Sequence, residues 1–287
     1  MTGAPEGLPP LLAEPFIRAA LLEDLAPNGD ITTASGVPQG TVARGRIVAR
    51  AAGRIAGLDL VRMTFALIDP SLRVLFAARD GADVEPGATL VTLEGDARAI
   101  LEGERVALNF LGHLSGIATA TRRCAAAASG TRAKICCTRK TTPGLRALQK
   151  YAVRVGGGSN HRFGLSDAVL IKDNHIAVAG GITPAVARAK KRAGHMVKIE
   201  VEIDGLSQLD EALAAGADVI MLDNMSLADM KTAVAKVGGR AVLEASGGVT
   251  EARVAEIAAT GVDLISIGWI THSAPNLDVA LDIDTLL

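Results

Sequence analysis

The spacing of apolar residues changes character near residue 130 of the chain. Before that point the periods are mixed. EPFIRAALLEDL (14–25) has the recurrence of a short amphipathic helix and stops at the turn signal Pro27-Asn28-Gly29-Asp30. VARGRIVARAAG (42–53) alternates as a strand does, and GLDLVRMTFALID (57–69) returns to a helical period. RVLFAA (73–78) and ATLVTLEG (88–95) predict two more strands, around Asp80-Gly81 and the Pro86-Gly87 bend. A long helical pattern follows from Arg98 to about Ser129, broken or bent near Gly112 and Gly116. Its central part, EGERVALNFLGHLSGIATATRR, is expected to bridge two halves of the chain. The first half therefore reads as α+β with a small, mostly antiparallel sheet, preceded by a Pro- and Gly-rich arm over residues 1–13.

Beyond residue 130 short apolar runs recur at 133–138, 168–173, 197–203, 218–224, 241–247 and 263–269. Helical patterns fill 183–193, 206–215, 226–237 and 250–259. The last four strand-like runs are about 21 to 23 residues apart, the pitch of a (β/α) barrel. Six strands do not close an ordinary eight-stranded barrel, so either the barrel is incomplete or an unusual crossover occupies 140–165. The fold class expected is α/β: an incomplete barrel over 116–274 and an α+β domain over 1–115, with the alternating tail 275–287 returning to the first domain.

Composition narrows the function. The chain of 287 residues has a hydrophobic content of 49%, 31 glycines and a net charge of −1, as expected of an α/β enzyme. Five Phe, one Tyr and one Trp leave little with which to stack bases, which argues against nucleic-acid binding. Cys124, Cys136 and Cys137 lack metal-ligand spacing and point to a reducing, cytoplasmic compartment. With no signal peptide and no apolar run of membrane-spanning length, a soluble protein without membrane association is expected.

Against this neutral background one stretch stands out. Between Arg139 and Ser166 lie Arg139, Lys140, Arg146, Lys150, Arg154 and Arg162, with no acid, and Gly156-Gly157-Gly158 runs into Asn160-His161-Arg162. Arg146, Lys150 and Arg154 also fit a solvated helix face. Arg139, Lys140 and Lys172 fall at strand C-terminal ends, where α/β folds bind ligands. Later strand ends supply Glu202, Asp223, Ser246-Gly247-Gly248 and Gly268. The SGG turn opens a helical pattern and is suited to cradle a phosphate. Glu202 and Asp223 suit ribose hydroxyls or Mg²⁺, and Glu200, two residues earlier, shares their side of the strand. Asp173, Asn174 and His175 are expected to shape a loop after Lys172. Together these features fit a phosphorylated sugar meeting a second anionic substrate.

The blocks LLEDLAPNGDITT, ERVALNFLGHLSGIAT, CTRKTTPGLRALQKYAVRVGGGSNHRFGLSD, IKDNH, EVE, ADVIMLDNM, EASGGV and ISIG…THSAP occur in this order. In them the chain resembles the quinolinate phosphoribosyltransferase family over nearly its whole length. That resemblance implies an N-terminal α/β sandwich, an incomplete barrel, and transfer of phosphoribosyl from phosphoribosyl pyrophosphate to quinolinate with decarboxylation. It also implies a homodimer, or a higher oligomer built on one, with shared active sites. Arg105 of one subunit would then join Arg139, His161, Arg162 and Lys172 of the other around the quinolinate carboxylates. Lys140, Glu202 and Asp223 would handle the pyrophosphate and Mg²⁺, and Ser246, Gly247, Gly248 and Gly268 the 5-phosphate. Lys140, Lys172, Glu202 and Asp223 are the catalytic candidates. No dedicated acid–base group is visible. Trp269 departs from the small residue usual after the glycine. The alternatives are a molybdenum-transport-associated paralogue, a Schiff-base lyase using Lys172, and an RNA- or anion-binding protein.

Overall fold

In a computed structural model, residues 7–285 are described, so the first half-dozen residues of the expected arm lie outside it. The chain divides into two compact units. One comprises the chain up to Arg122, Thr142–Gly157 and the segment from Ser273; the other comprises Arg123–Thr141 and Gly158–His272.

The first unit opens with α1 (Pro10–Leu25), which begins four residues before the periodic pattern because Pro10 fits a first helical turn. Next comes α2 (Ile31–Gly36), capped by Asp30, whose Oδ1 accepts from Thr33 N at 2.9 Å. Then follow β1 (Val42–Ala49), β2 (Gly53–Arg54), α3 (Leu58–Ile68), β3 (Arg73–Phe76), β4 (Asp83–Val84) and β5 (Thr89–Asp96). The main sheet is antiparallel, in the order β12-β1-β5-β3, where β12 (Val279–Thr285) is the tail, paired along β1 from Ala43↔Thr285 to Ala49↔Val279. Phe65, Ile47, Leu90, Leu93 and Ile100 are fully buried in its core, each stabilising by roughly 1.5–3 kcal/mol.

The helix α4 (Ala97–Ala127) runs without a break through Gly112 and Gly116, which removes the first of the two expected alternatives, a break or a bend. Its glycines serve packing instead. A Cβ on Gly112 would lie 2.9 Å from the Leu277 carbonyl oxygen, and one on Gly116 would overlap the Pro275 carbonyl. The helix α5 (Arg146–Val155) also belongs to this unit. Tyr151 donates to Asp80 at 2.6 Å, and Asp80 accepts the Gly57 and Leu58 amides at the start of α3. Lys150 is buried while Arg154 is exposed and Arg146 half-buried, so α5 presents only part of the solvated basic face its charges allowed.

The second unit alternates strands and helices. Its elements are β6 (Lys134–Cys136), β7 (Val169–Ile171), α6 (Asp173–Ala179), α7 (Ile182–Arg192), β8 (Ile199–Ile203) and α8 (Leu209–Ala215). They continue with β9 (Val219–Asp223), α9 (Leu227–Val237), β10 (Val242–Ser246), α10 (Val254–Ala258), β11 (Leu264–Ser266) and α11 (Trp269–His272). The six strands form one parallel sheet in the order β6-β11-β10-β9-β8-β7, an incomplete barrel with β6 and β7 at its edges. The segment 158–168 continues from the β6 edge. Ser159 bridges Cys136, its amide donating to Ile135 O at 2.7 Å, and Arg162 Nη1 donates to Ala168 O at 3.0 Å. No helix among the described residues is long and apolar enough to cross a membrane.

Candidate active site

Strand alternation decides what this barrel presents. Glu202 on β8 stands opposite Met221 on β9, Met221 opposite Glu244 on β10, and Asp223 opposite Ser246. Residues paired in this way share one face of a sheet. That face lines a cavity of about 390 Å³, together with Arg139, Lys140, His161, Arg162, Lys172, Gly247 and Gly248.

Two predicted residues lie elsewhere. Arg105 is on α4 in the first unit, with its side chain 64% exposed and 3.8 Å from Glu104. Gly268 does not line the cavity, but a Cβ there would come within 2.9 Å of Lys140 Cδ. Its missing side chain lets Lys140 lie close. The Lys140 backbone is held as well, its carbonyl accepting from Thr271 Oγ1 at 2.7 Å.

The cationic side gathers around Arg162. Burial and then the Arg139 charge lower the pKa of its guanidinium, and Glu200 opposes the shift. Two cations are thus held near each other at a cost that an anion would relieve. Arg162 Nε is buried with no hydrogen-bond partner among the described residues. Beside it His161 Nε2 lies 2.9 Å from Glu200 Oε2 and 3.8 Å from Glu244 Oε1. Burial, then the Glu200 charge, pushes the Glu244 carboxyl up to about 7.

At the neighbouring ends of β7 and β8 Lys172 Nζ pairs with Glu202 Oε2. Asp173, Asn174 and His175 do not form a loop. They open α6, where His175 Nδ1 accepts the Lys172 amide at 3.0 Å and steadies the backbone of that lysine. Asp223 Oδ2 accepts from Asn224 Nδ2 at 2.7 Å, and the Asn224 amide donates to Ser246 O at 2.9 Å. Asn224 has a φ of 54°, a left-handed conformation that asparagine tolerates. Gly247 has a φ of 92°, and a Cβ on it would lie 2.8 Å from the Asn224 amide nitrogen. Only glycine satisfies both conditions, so the SGG turn is built against the end of β9. It leads into a single 3-10 turn, Glu251–Arg253, before α10. Trp269 is absent from the cavity lining, and its Nε1 donates to Val249 O at 3.1 Å. The ring ties down the far end of the SGG turn.

Glu244, Asn224 and Thr271 were not singled out from the sequence. Glu244 was detectable: it is an acid inside the apolar run AVLEASG, two residues before Ser246 and so on the same face. Asn224 and Thr271 act through backbone geometry that no spacing encodes.

The fold and cavity define an α/β-barrel enzyme that handles small anionic substrates at its strand ends. Residues 30–115 match the quinolinate phosphoribosyl transferase N-terminal domain, and residues 117–282 the C-terminal domain. The chain belongs to the quinolinate phosphoribosyl transferase family. It is 47% identical over 276 residues to the nicotinate-nucleotide pyrophosphorylase [carboxylating] of Mycobacterium leprae, covering 94% of this chain and 97% of that one. It is 45% identical over 262 residues to the probable nicotinate-nucleotide pyrophosphorylase [carboxylating] of Bacillus subtilis, covering 91% and 90%. Among solved structures, the nicotinate-nucleotide pyrophosphorylase from Francisella tularensis superposes with a TM-score of 0.94 at 39% identity, covering 99% of this chain and 100% of that one. Membership sets aside the Schiff-base lyase and the RNA- or anion-binding protein.

Proposed function

We infer that the protein transfers the phosphoribosyl group of phosphoribosyl pyrophosphate to quinolinate, with decarboxylation, yielding nicotinate mononucleotide, pyrophosphate and CO₂ in NAD biosynthesis. The observation that carries this reading, beside family membership, is the division of one cavity into two halves. Arg139 and Arg162, mutually repelling, face an edge where a dianion would relieve them. Glu202, Asp223 and the Gly247-Gly248 turn form the other half.

In the reaction the pyridine nitrogen attacks the anomeric carbon as the C–O bond to pyrophosphate breaks. Arg139, Arg162 and Lys172 hold the two quinolinate carboxylates, which fixes the ring nitrogen in line. His161 belongs to this half through the segment it shares with Arg162. Lys140 stabilises charge on the departing pyrophosphate, and the amides of Gly247 and Gly248 with the Ser246 hydroxyl take the 5-phosphate. Gly268 serves by giving Lys140 room. The C2–carboxylate bond then breaks, CO₂ leaves, and the electron pair at C2 takes a proton. The carboxylate oxygens of Glu202 and Asp223, at neighbouring strand ends, are the hard donors that Mg²⁺ prefers, so these two residues would hold it. When bound, Mg²⁺ supplies positive charge to the pyrophosphate leaving group. Arg105, exposed on its own chain, completes the quinolinate site of a second subunit in a homodimer.

The test is pyrophosphate release that requires both quinolinate and phosphoribosyl pyrophosphate. Nicotinate, lacking one carboxylate, forgoes a charge-assisted contact with the cavity cations, worth about 1.5–3 kcal/mol. Turnover with nicotinate should therefore be at least about tenfold lower. Comparable rates would sink the assignment of the cationic half. Absence of release with quinolinate would instead favour a different acceptor, as in the molybdenum-associated paralogue.

A further inference from the structure

Resting on the quinolinate reading of the cavity, we propose that Asp167 is a positioning residue for the cationic half. Its carboxylate closes the segment 162–168 into a braced loop, and so holds Arg162 in the cavity beside Arg139.

The need for a brace follows from the charges. Burial and then the Arg139 charge disfavour the Arg162 guanidinium, while Glu200 and then Asp167 act the other way. Two cations that repel each other must therefore share one wall of the cavity. A side chain so placed stays there only if the backbone that bears it is fastened. Burial does not fasten this one, because Phe163, Leu165, Ser166 and Asp167 are all exposed.

Hydrogen bonds do. Asp167 Oδ2 accepts the Phe163 amide at 2.5 Å, and Oδ1 accepts the Gly164 amide at 2.8 Å. One carboxylate thus ties down the two backbone groups that directly follow Arg162. From the other end, Ala168 O accepts from Arg162 Nη1 at 3.0 Å, which closes the same loop through the side chain. Beyond Ala168 the chain enters β7, where the Val169 amide donates to Lys198 O at 3.0 Å. Asp167 therefore carries the position of a barrel strand back to the residues beside Arg162.

The residue type suits this task. An ionised carboxylate accepts on both oxygens, whereas an asparagine amide has one acceptor and a hydroxyl has one oxygen to share. Burial alone would raise the Asp167 carboxyl, but the Gly164 and Phe163 amides outweigh it and hold the group below its ordinary value. It is thus ionised at neutral pH, the state that grips both amides. The fork also leaves the Arg162 Nε–H, which is buried and has no partner among the described residues, available for a planar carboxylate.

Kinetics of Asp167→Ala and Asp167→Asn, with each substrate varied in turn, test the proposal. Asp167→Ala removes both bonds and should raise the quinolinate KM about tenfold, the worth of one to two net hydrogen bonds. The KM for phosphoribosyl pyrophosphate should stay within about twofold, as for a site that shares no partner with the loop. Asp167→Asn keeps one acceptor oxygen and should recover part of the loss, leaving the quinolinate KM about threefold above wild type. An unchanged quinolinate KM in Asp167→Ala would overturn the proposal. So would an equal rise for both substrates, which marks general support of the fold. If Asp167 acts only as a counter-charge to Arg162, asparagine will be as damaging as alanine, and the brace is wrong. Hydrogen exchange supplies a readout independent of turnover: the Phe163 and Gly164 amides should exchange about tenfold faster in Asp167→Ala. Wild-type protein without quinolinate-dependent turnover would lose the functional reading, while that faster exchange would still uphold the brace.

Discussion

A carboxyl group at the base of a cavity lined by cations and other acids must be paired or neutral, and Glu244 is 1% exposed beside Glu200. Its folded pKa of about 7 lies above the ordinary 4.5, so the folded protein binds a proton that the unfolded chain has already lost. The stability this provides is complete below about pH 4.5 and disappears as pH rises through 7. Its ceiling is on the order of 3 kcal/mol. Glu244→Gln removes the titration. Its Tm should gain on that of wild type between pH 5.5 and 8, and a difference that stays flat with pH would show that Glu244 is ionised throughout. The two halves of the cavity are separable by residue as well. Lys140→Ala and Asp223→Ala should raise the KM for phosphoribosyl pyrophosphate by about tenfold or more, the loss of a charge-assisted contact. Quinolinate binding, titrated calorimetrically, should change by less than about threefold, within the worth of a screened surface pair. Loss of quinolinate binding in both variants would mean the subsites are exchanged. Several residues of this cavity were legible because strand ends announce themselves: Arg139, Lys172 and Asp223 each fall at or just past the end of an apolar run. Glu244 lies inside its run, where an acid reads as an interruption until the period of two is applied across it.

At the level of elements the glycines of α4 carry the sharpest prediction. Alanine in a helix interior is normally better than glycine by about 0.5–1 kcal/mol. At Gly116 the sign should reverse, because the added methyl would overlap the Pro275 carbonyl, a backbone atom that cannot swing aside. Overpacking of this kind costs about 1–3 kcal/mol. Gly116→Ala should therefore lower Tm by at least about 2 °C, and a rise would mean that the 275–277 segment is not packed there as described. The contrast explains what the sequence disclosed and what it hid. The six barrel strands and α7, α8, α9 and α10 fell within a few residues of their apolar patterns, because burial imposes those patterns directly. Gly112 and Gly116 signalled a helix break or bend, the correct local inference, yet a distant segment required small residues there. The helix α6 was hidden for the opposite reason. Its start, Lys172-Asp173-Asn174-His175, is made of residues that favour turns, and helix formation depends on the His175 ring meeting the Lys172 amide.

For the molecule as a whole, the open question is whether one chain suffices. Quinolinate carries two carboxylates, and the cavity's own cations are Arg139, Arg162, Lys140 and Lys172, of which Lys172 is already paired with Glu202. Arg105 lies outside the cavity lining, exposed on α4. If it serves a second subunit's site in a two-fold dimer, each site takes Arg105 from one chain and Lys172 from the other. Arg105→Ala and Lys172→Ala homodimers should then each be nearly inactive, for want of a different half of the same site. Mixed and allowed to exchange subunits, they form heterodimers in which one site has both residues intact and the other has neither. Random exchange makes about half the dimers mixed, each with one good site of two, so activity should recover to roughly a quarter of wild type by the symmetry of the interface. Tagging the two variants differently and isolating the doubly tagged dimer raises that ceiling to about half. Confirmed exchange without recovery would mean that Arg105 acts within its own chain or only supports the fold, and the division of the site between subunits would have to be abandoned.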